Sequence, residues 1–103
     1  MYRVRITVMK KVLHQDLVDR YELPMDNPCT MQEGQVFIAE GDNRPKGLCD
    51  SAWETLRPFV VALENGEERF YGDWMKNPRS AMLSCNDGFR PVSFYIEALD
   101  EEA

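Results

Sequence analysis

In Gly47-Leu48-Cys49-Asp50-Ser51-Ala52-Trp53-Glu54 a glycine-containing loop meets a cysteine and then, at once, the start of a helix. Asp50 or Ser51 can accept a backbone N–H of a first helical turn, and Ser51 with Glu54 three residues later fits a capping box. Ala52, Trp53, Leu56, Phe59, Val60 and Leu63 then recur close to every 3.6 residues, which predicts a helix from Asp50 that Asn65-Gly66 closes. Pro58 lies inside it. An interior proline removes a hydrogen bond and crowds the preceding turn, so a kink or two helical pieces meeting near Arg57 are expected.

Upstream, Tyr2 to Lys10 alternates. Tyr2, Val4, Ile6 and Val8 take one face and Arg3, Arg5 and Thr7 the other, the pattern of a half-exposed strand. Leu13 to Leu23 has a helical rhythm, with Leu13, Leu17, Val18 and Tyr21 on one face, and Pro24 stops it. The only histidine, His14, falls at its start. Pro24 to Thr30 reads as a loop with Asp26-Asn27-Pro28 as turn chemistry and Cys29 near its end. Gln35 to Ala39 is a short apolar run bounded by glycines, hence a second strand. Gly41 to Gly47 is the most loop-like segment of the chain.

Downstream of the helix, Glu67 to Arg79 is irregular and holds Phe70, Tyr71 and Trp74. These aromatics read as a loop folded over a small core, or as the lining of a ligand pocket. Ser80 to Leu99 reads as a hairpin. Ala81 to Cys85 is one arm, Asn86-Asp87-Gly88 the turn, and Val92, Phe94, Ile96 and Ala98 alternate along the other. Pro91 belongs at an edge, a bulge or the strand start. Asp100-Glu101-Glu102 reads as a solvated acidic tail over about residues 99–103. The expectation is one α+β domain over residues 1–103, in the order β-α-β-α-β-β with a C-terminal β-hairpin.

A chain of 103 residues can bury roughly 60–65% of its unfolded surface, enough for one core. Its net charge of −6 argues against nucleic acid as a partner, because phosphate binding needs a basic face, and against an anionic membrane surface. No apolar run approaches the ~20 residues of a membrane span. Met1-Tyr2-Arg3-Val4-Arg5 has no signal-peptide core and reads as strand, and three cysteines are an odd number for a secreted disulfide scaffold. The expectation is a cytoplasmic protein with reduced thiols.

The chemistry rests on those cysteines. Cys29, Cys49 and Cys85 are far apart and no CxxC occurs, so neither a zinc ribbon nor a dithiol motif is written here. Each is placed at the end of an element, where core filler is not expected and where sites often gather. Cys49 at a helix N-terminus faces unpaired N–H groups and the positive end of the helix dipole, which favour its thiolate. Three converging thiolates suit a soft transition metal or an iron–sulfur cluster. They are one ligand short of a closed zinc site, and His14, Asp50, Asp87, water or a substrate could supply the fourth. Arg90, beside the predicted turn, could hold an anion, stabilise a thiolate or make a surface salt bridge. No GxSxG, HExxH, P-loop or GxGxxG occurs.

Along nearly its full length the chain resembles a family of small uncharacterised prokaryotic proteins, described as an uncharacterised repeat protein because some members carry the unit in tandem. The pieces that carry the resemblance are Val4-Arg5-Ile6-Thr7-Val8, Asp16 to Tyr21, Glu33 to Ile38, Gly47 to Trp53, and Cys85-Asn86-Asp87-Gly88-Phe89-Arg90-Pro91-Val92. Cys-Asp-x-Ala-Trp combined with Cys-x-Asp-Gly-x-Arg-Pro-Val is the specific part. The family's cysteine positions match Cys29, Cys49 and Cys85. Where relatives often have a further cysteine this chain has Ser84, and Pro58 is a second departure. The resemblance implies a shared three-thiol site without naming a ligand or an activity.

Three readings follow. The leading one is a soft-metal or iron–sulfur protein with Cys29, Cys49 and Cys85 as ligands and Asp50, Asp87 and Arg90 around them. The second is a thiol-based redox enzyme or sensor using Cys49. The third is a non-catalytic interaction module with structural cysteines, whose aromatic loop from Phe70 to Trp74 engages a second copy or a protein partner.

Overall fold

A computed structural model describes residues 1–25 and 29–102, with the side chains of 100–102 left aside. The predicted turn at Asp26-Asn27-Pro28 lies outside the described residues. Among the described residues the chain is an α+β unit of four strands and two α-helices: β1 (Tyr2–Lys11), α1 (Gln15–Tyr21), β2 (Val36–Ala39), α2 (Asp50–Glu64), β3 (Ser80–Ser84) and β4 (Val92–Glu102), with a 3-10 turn at Phe70–Gly72. The expected β-α-β-α-β-β order holds.

The sheet is antiparallel throughout, in the order β2-β1-β4-β3. The two longest strands therefore lie side by side at its centre. Alternation along them puts Val4 opposite Ala98, Ile6 opposite Ile96 and Val8 opposite Phe94, all on the buried face. Leu83 and Ala81 of β3 extend the same layer beside Phe94 and Ile96. Across it lies α2, whose Ala52, Leu56, Val60 and Leu63 repeat at helical spacing and are buried with the strand residues in one core.

Four local expectations are corrected. The N-cap of α2 is Cys49, one residue ahead of Asp50 and two ahead of Ser51, the predicted caps. The cause lies in the preceding turn. Gly47 is left-handed at φ +89°, Leu48 N–H reaches Pro45 O, and Arg44 bridges the Leu48 carbonyl and the Asp50 carboxylate, so helical geometry begins directly after the cysteine. Second, α2 runs as one helix through Pro58. Pro58 is on the exposed face, where water can satisfy the carbonyl one turn back. Third, α1 is shorter than Leu13 to Leu23 and buries no residue, because α2 alone fills the space over the sheet. Fourth, residues 99–102 are not a tail. Their backbone continues β4, which pairs Glu102 with Tyr2 beyond an irregularity in the register. A full-length neighbour in β1 outweighs the weak strand propensity of acidic residues.

The far end of α2 behaves as read. Glu67 N–H bonds Ala62 O and Gly66 N–H bonds Leu63 O, with Gly66 at φ +88°, a Schellman closure that a side chain at Gly66 would strain. Among the described residues, no helix is long and apolar enough to cross a membrane.

Candidate functional site

The three cysteines arrive from different elements at the end of the sheet near the start of α2. Cys85 directly follows β3. Its N–H bonds Val92 O at 3.0 Å, and its sulfur accepts the Val92 N–H at 3.3 Å. Its thiol also points toward Arg90 O at 3.9 Å. The connection from β3 to β4 is held by Asp87, whose Oδ1 accepts the N–H groups of Phe89 and Arg90 at 2.8 and 3.1 Å. Asp-Gly is thus an Asx-type anchor of a longer loop here, not a tight two-residue turn.

Cys49 caps α2 without closing a side-chain capping bond. Its sulfur lies 3.2 Å from Ser51 Oγ. That hydroxyl is the main cause lowering the thiol's pKa; partial burial opposes it, the Ala52 and Ser51 backbone N–H groups assist, and the Asp50 carboxylate works against it. Cys29 is half-buried, two residues before Met31, outside any helix or strand.

Cys29, Cys49 and Cys85 border one cavity of about 150 Å³, together with Met31, Ser51, Asp87, Arg90 and the apolar side chains behind them. None of the three is in a disulfide. Among the described residues, no three His, Cys, Asp or Glu side chains stand close enough, as placed, to hold a metal ion. The thiols surround a space and do not meet at a point.

The predicted neighbours divide. Asp87 and Arg90 line the cavity. Asp50 does not: its side chain is 90% exposed and pairs with Arg44 at 2.9 Å, so it acts on Cys49 only through its charge. His14 is exposed at the N-cap of α1 and takes no part in the lining. Arg90 is not a surface ion pair. It is 8% exposed and binds Glu22 through both terminal nitrogens, at 3.0 and 2.5 Å. Glu22's hydrogen bonds raise the Arg90 pKa, burial opposes this, and the charges of Glu22, Asp87 and Cys29 add to it. The guanidinium therefore stands fixed beside the thiols, its charge largely balanced by Glu22.

Two contributors escaped the sequence reading. Glu22 falls among the polar residues of the Leu13 to Leu23 pattern, and nothing in that pattern links it to Arg90. Met31 lines the cavity and is 2% exposed. It lies two residues after Cys29 in a stretch without regular secondary structure, so no periodicity in the sequence marks it. No protein-family model, curated protein or solved structure matches the chain.

Proposed function

We propose that this chain is a small thiolate protein that binds a soft transition metal or an iron–sulfur cluster in the cavity, with Cys29, Cys49 and Cys85 as ligands. The observation that carries the reading is that three cysteines from three separate parts of the chain line the same small cavity. Core packing by itself gives no reason for three thiols to share one space. As they stand no three of these side chains meet at a point among the described residues, so the reading requires the half-buried thiols to turn inward on binding. The resemblance to the three-cysteine repeat family supports the same three positions, and the acidic composition fits a cytoplasmic protein that binds neither nucleic acid nor membrane. Anaerobic reconstitution followed by elemental analysis and thiol titration tests the proposal. One metal site per chain with the thiols masked is expected; no retained metal and three titrating thiols contradict it.

The environment of Cys49 favours a second reading, a thiol-based redox sensor or enzyme. Its thiolate is stabilised by Ser51 and by the helix start. Attack on a hydroperoxide forms an S–O bond at Cys49, breaks the O–O bond and releases an alcohol after protonation. The sulfenic acid then condenses with a neighbouring thiol, losing water to give a disulfide. Peroxide treatment of metal-free protein that yields a Cys49 disulfide, in chains that retain no metal after reconstitution, selects this reading.

A further inference from the structure

The geometry points to α1 as the face through which two copies of this chain associate, as an antiparallel two-fold pair. This surface lies outside the thiol cavity, and the inference stands apart from the metal-binding and redox readings.

Only one edge of α1 meets its own protein. Of its residues and its C-cap, Val18 and Glu22 are half-buried and the rest are exposed. Those two are four apart and share one side, from which Glu22 holds Arg90. Leu17 and Tyr21 are also four apart, and they fall roughly 100° round the helix from that edge. A helix of a globular protein ordinarily turns such an apolar pair to its core, yet here both are exposed. Leu13, just ahead of the helix, and Leu23, just after it, are exposed as well. A groove runs beside this ridge. Two adjoining hollows of about 320 and 290 Å³ share Val18 and Met25; Val12 and Leu13 border the first and Leu23 the second.

Shape, charge and area together select a second copy as the occupant. A ridge beside a groove is self-complementary, because a two-fold axis sets each ridge against the other copy's groove. Charge selects the antiparallel arrangement. Asp16 and Arg20 lie one turn apart on the flank of the ridge away from Val18 and Glu22. In an antiparallel pair this flank meets its own copy reversed, so Asp16 faces the partner's Arg20 and the contact occurs twice. A parallel pair would set like charges together. Val12, Leu13, Leu17, Tyr21, Leu23 and Met25 are 38–84% exposed and offer roughly 500 Å² per copy, at about 150–200 Å² for a large side chain. Two copies then bury about 1,000 Å², the lower bound for a specific association. The net charge of −6 on each copy opposes their approach, so the dimer is weak and reversible.

Sedimentation equilibrium of the reduced, metal-free full chain, from micromolar to millimolar concentration, tests this without involving the thiols. A monomer–dimer equilibrium is expected, weakened about tenfold or more by Leu17→Glu. Asp16→Arg and Arg20→Asp should each weaken it. The double exchange should restore it, because the swapped pair is again self-complementary. A chain that stays monomeric to millimolar concentration overturns the proposal and leaves α1 to another kind of partner. A dimer that Leu17→Glu leaves intact, or a double exchange that associates no better than the single ones, overturns it too. Hydrogen exchange of the wild type covers variants that do not fold. Protection of residues 15–21 that rises with protein concentration, while β1 and β4 stay unchanged, is expected. Exchange in α1 that does not depend on concentration overturns the proposal.

Discussion

Cys49 is a thiol whose protonation is set by two neighbours in sequence. Ser51 and the first N–H groups of α2 hold the thiolate, against the burial of the sulfur and the charge of Asp50. In metal-free protein, the pH midpoint for alkylation of Cys49 should fall below the ordinary value of about 8.5. Ser51→Ala should move it upward. Per-residue alkylation followed by mass spectrometry checks this, and a midpoint unaffected by Ser51→Ala contradicts the role given to the hydroxyl. Glu64 is the opposite case. It is 1% exposed, its Oε2 is buried without a partner among the described residues, and burial, with a smaller push from Asp42, raises its pKa. It also stands at the C-terminal end of α2, where the helix dipole disfavours an anion. A carboxyl whose folded pKa is raised favours folding most below its unfolded value of about 4.3 and loses that contribution as pH climbs through the folded value. Glu64→Gln should therefore stabilise the protein by about 1 kcal/mol at pH 7, with the gain vanishing near pH 4. Denaturant unfolding at the two pH values measures it.

Elements differ in how they are held. The sheet and α2 share one continuous core, whereas α1 buries no side chain and leaves Leu17 and Tyr21 exposed, as is Leu13 just ahead of it. What ties α1 to the rest is the pair between Glu22 and Arg90 at its end and the backbone bonds from Val12 and His14, ahead of its start, to Pro91 and Phe89. Removing one partner of an ion pair this buried leaves a charge without its counterion. Glu22→Gln should lower stability and should speed hydrogen exchange in α1 more than in β1 or β4. Urea unfolding combined with exchange mass spectrometry separates the two effects, and uniform exchange changes would deny the pair its local role. Much of this layer was legible beforehand. The alternation of β1 and β4 and the period of α2 were read correctly because they reflect burial on one face. The kink at Pro58 and the extent of α1 were misread because sequence periodicity does not reveal which face meets water or whether a neighbour exists to cover an apolar stripe. The aromatic loop divides the same way: Phe70 packs edge-on to Phe59, while Trp74 is 80% exposed beside Tyr71.

Across the whole molecule, antiparallel pairing of the first and last long strands brings the start of α2, the end of β3 and the segment after α1 to one end of the sheet. That convergence was not visible in the spacing of the cysteines, which share no motif. It arises from the crossing of the chain, and the placement of each thiol at an element end was the only local hint. Met31 and Glu22 were hidden for the same reason, since their partners are supplied by topology. The central claim is that Cys29, Cys49 and Cys85 act as one site. Its most direct test is alkylation of each cysteine, resolved by peptide mass spectrometry, with and without one equivalent of anaerobic copper(I). Simultaneous protection of all three by that single equivalent is the predicted result. Protection of Cys49 alone, or of none, would contradict it.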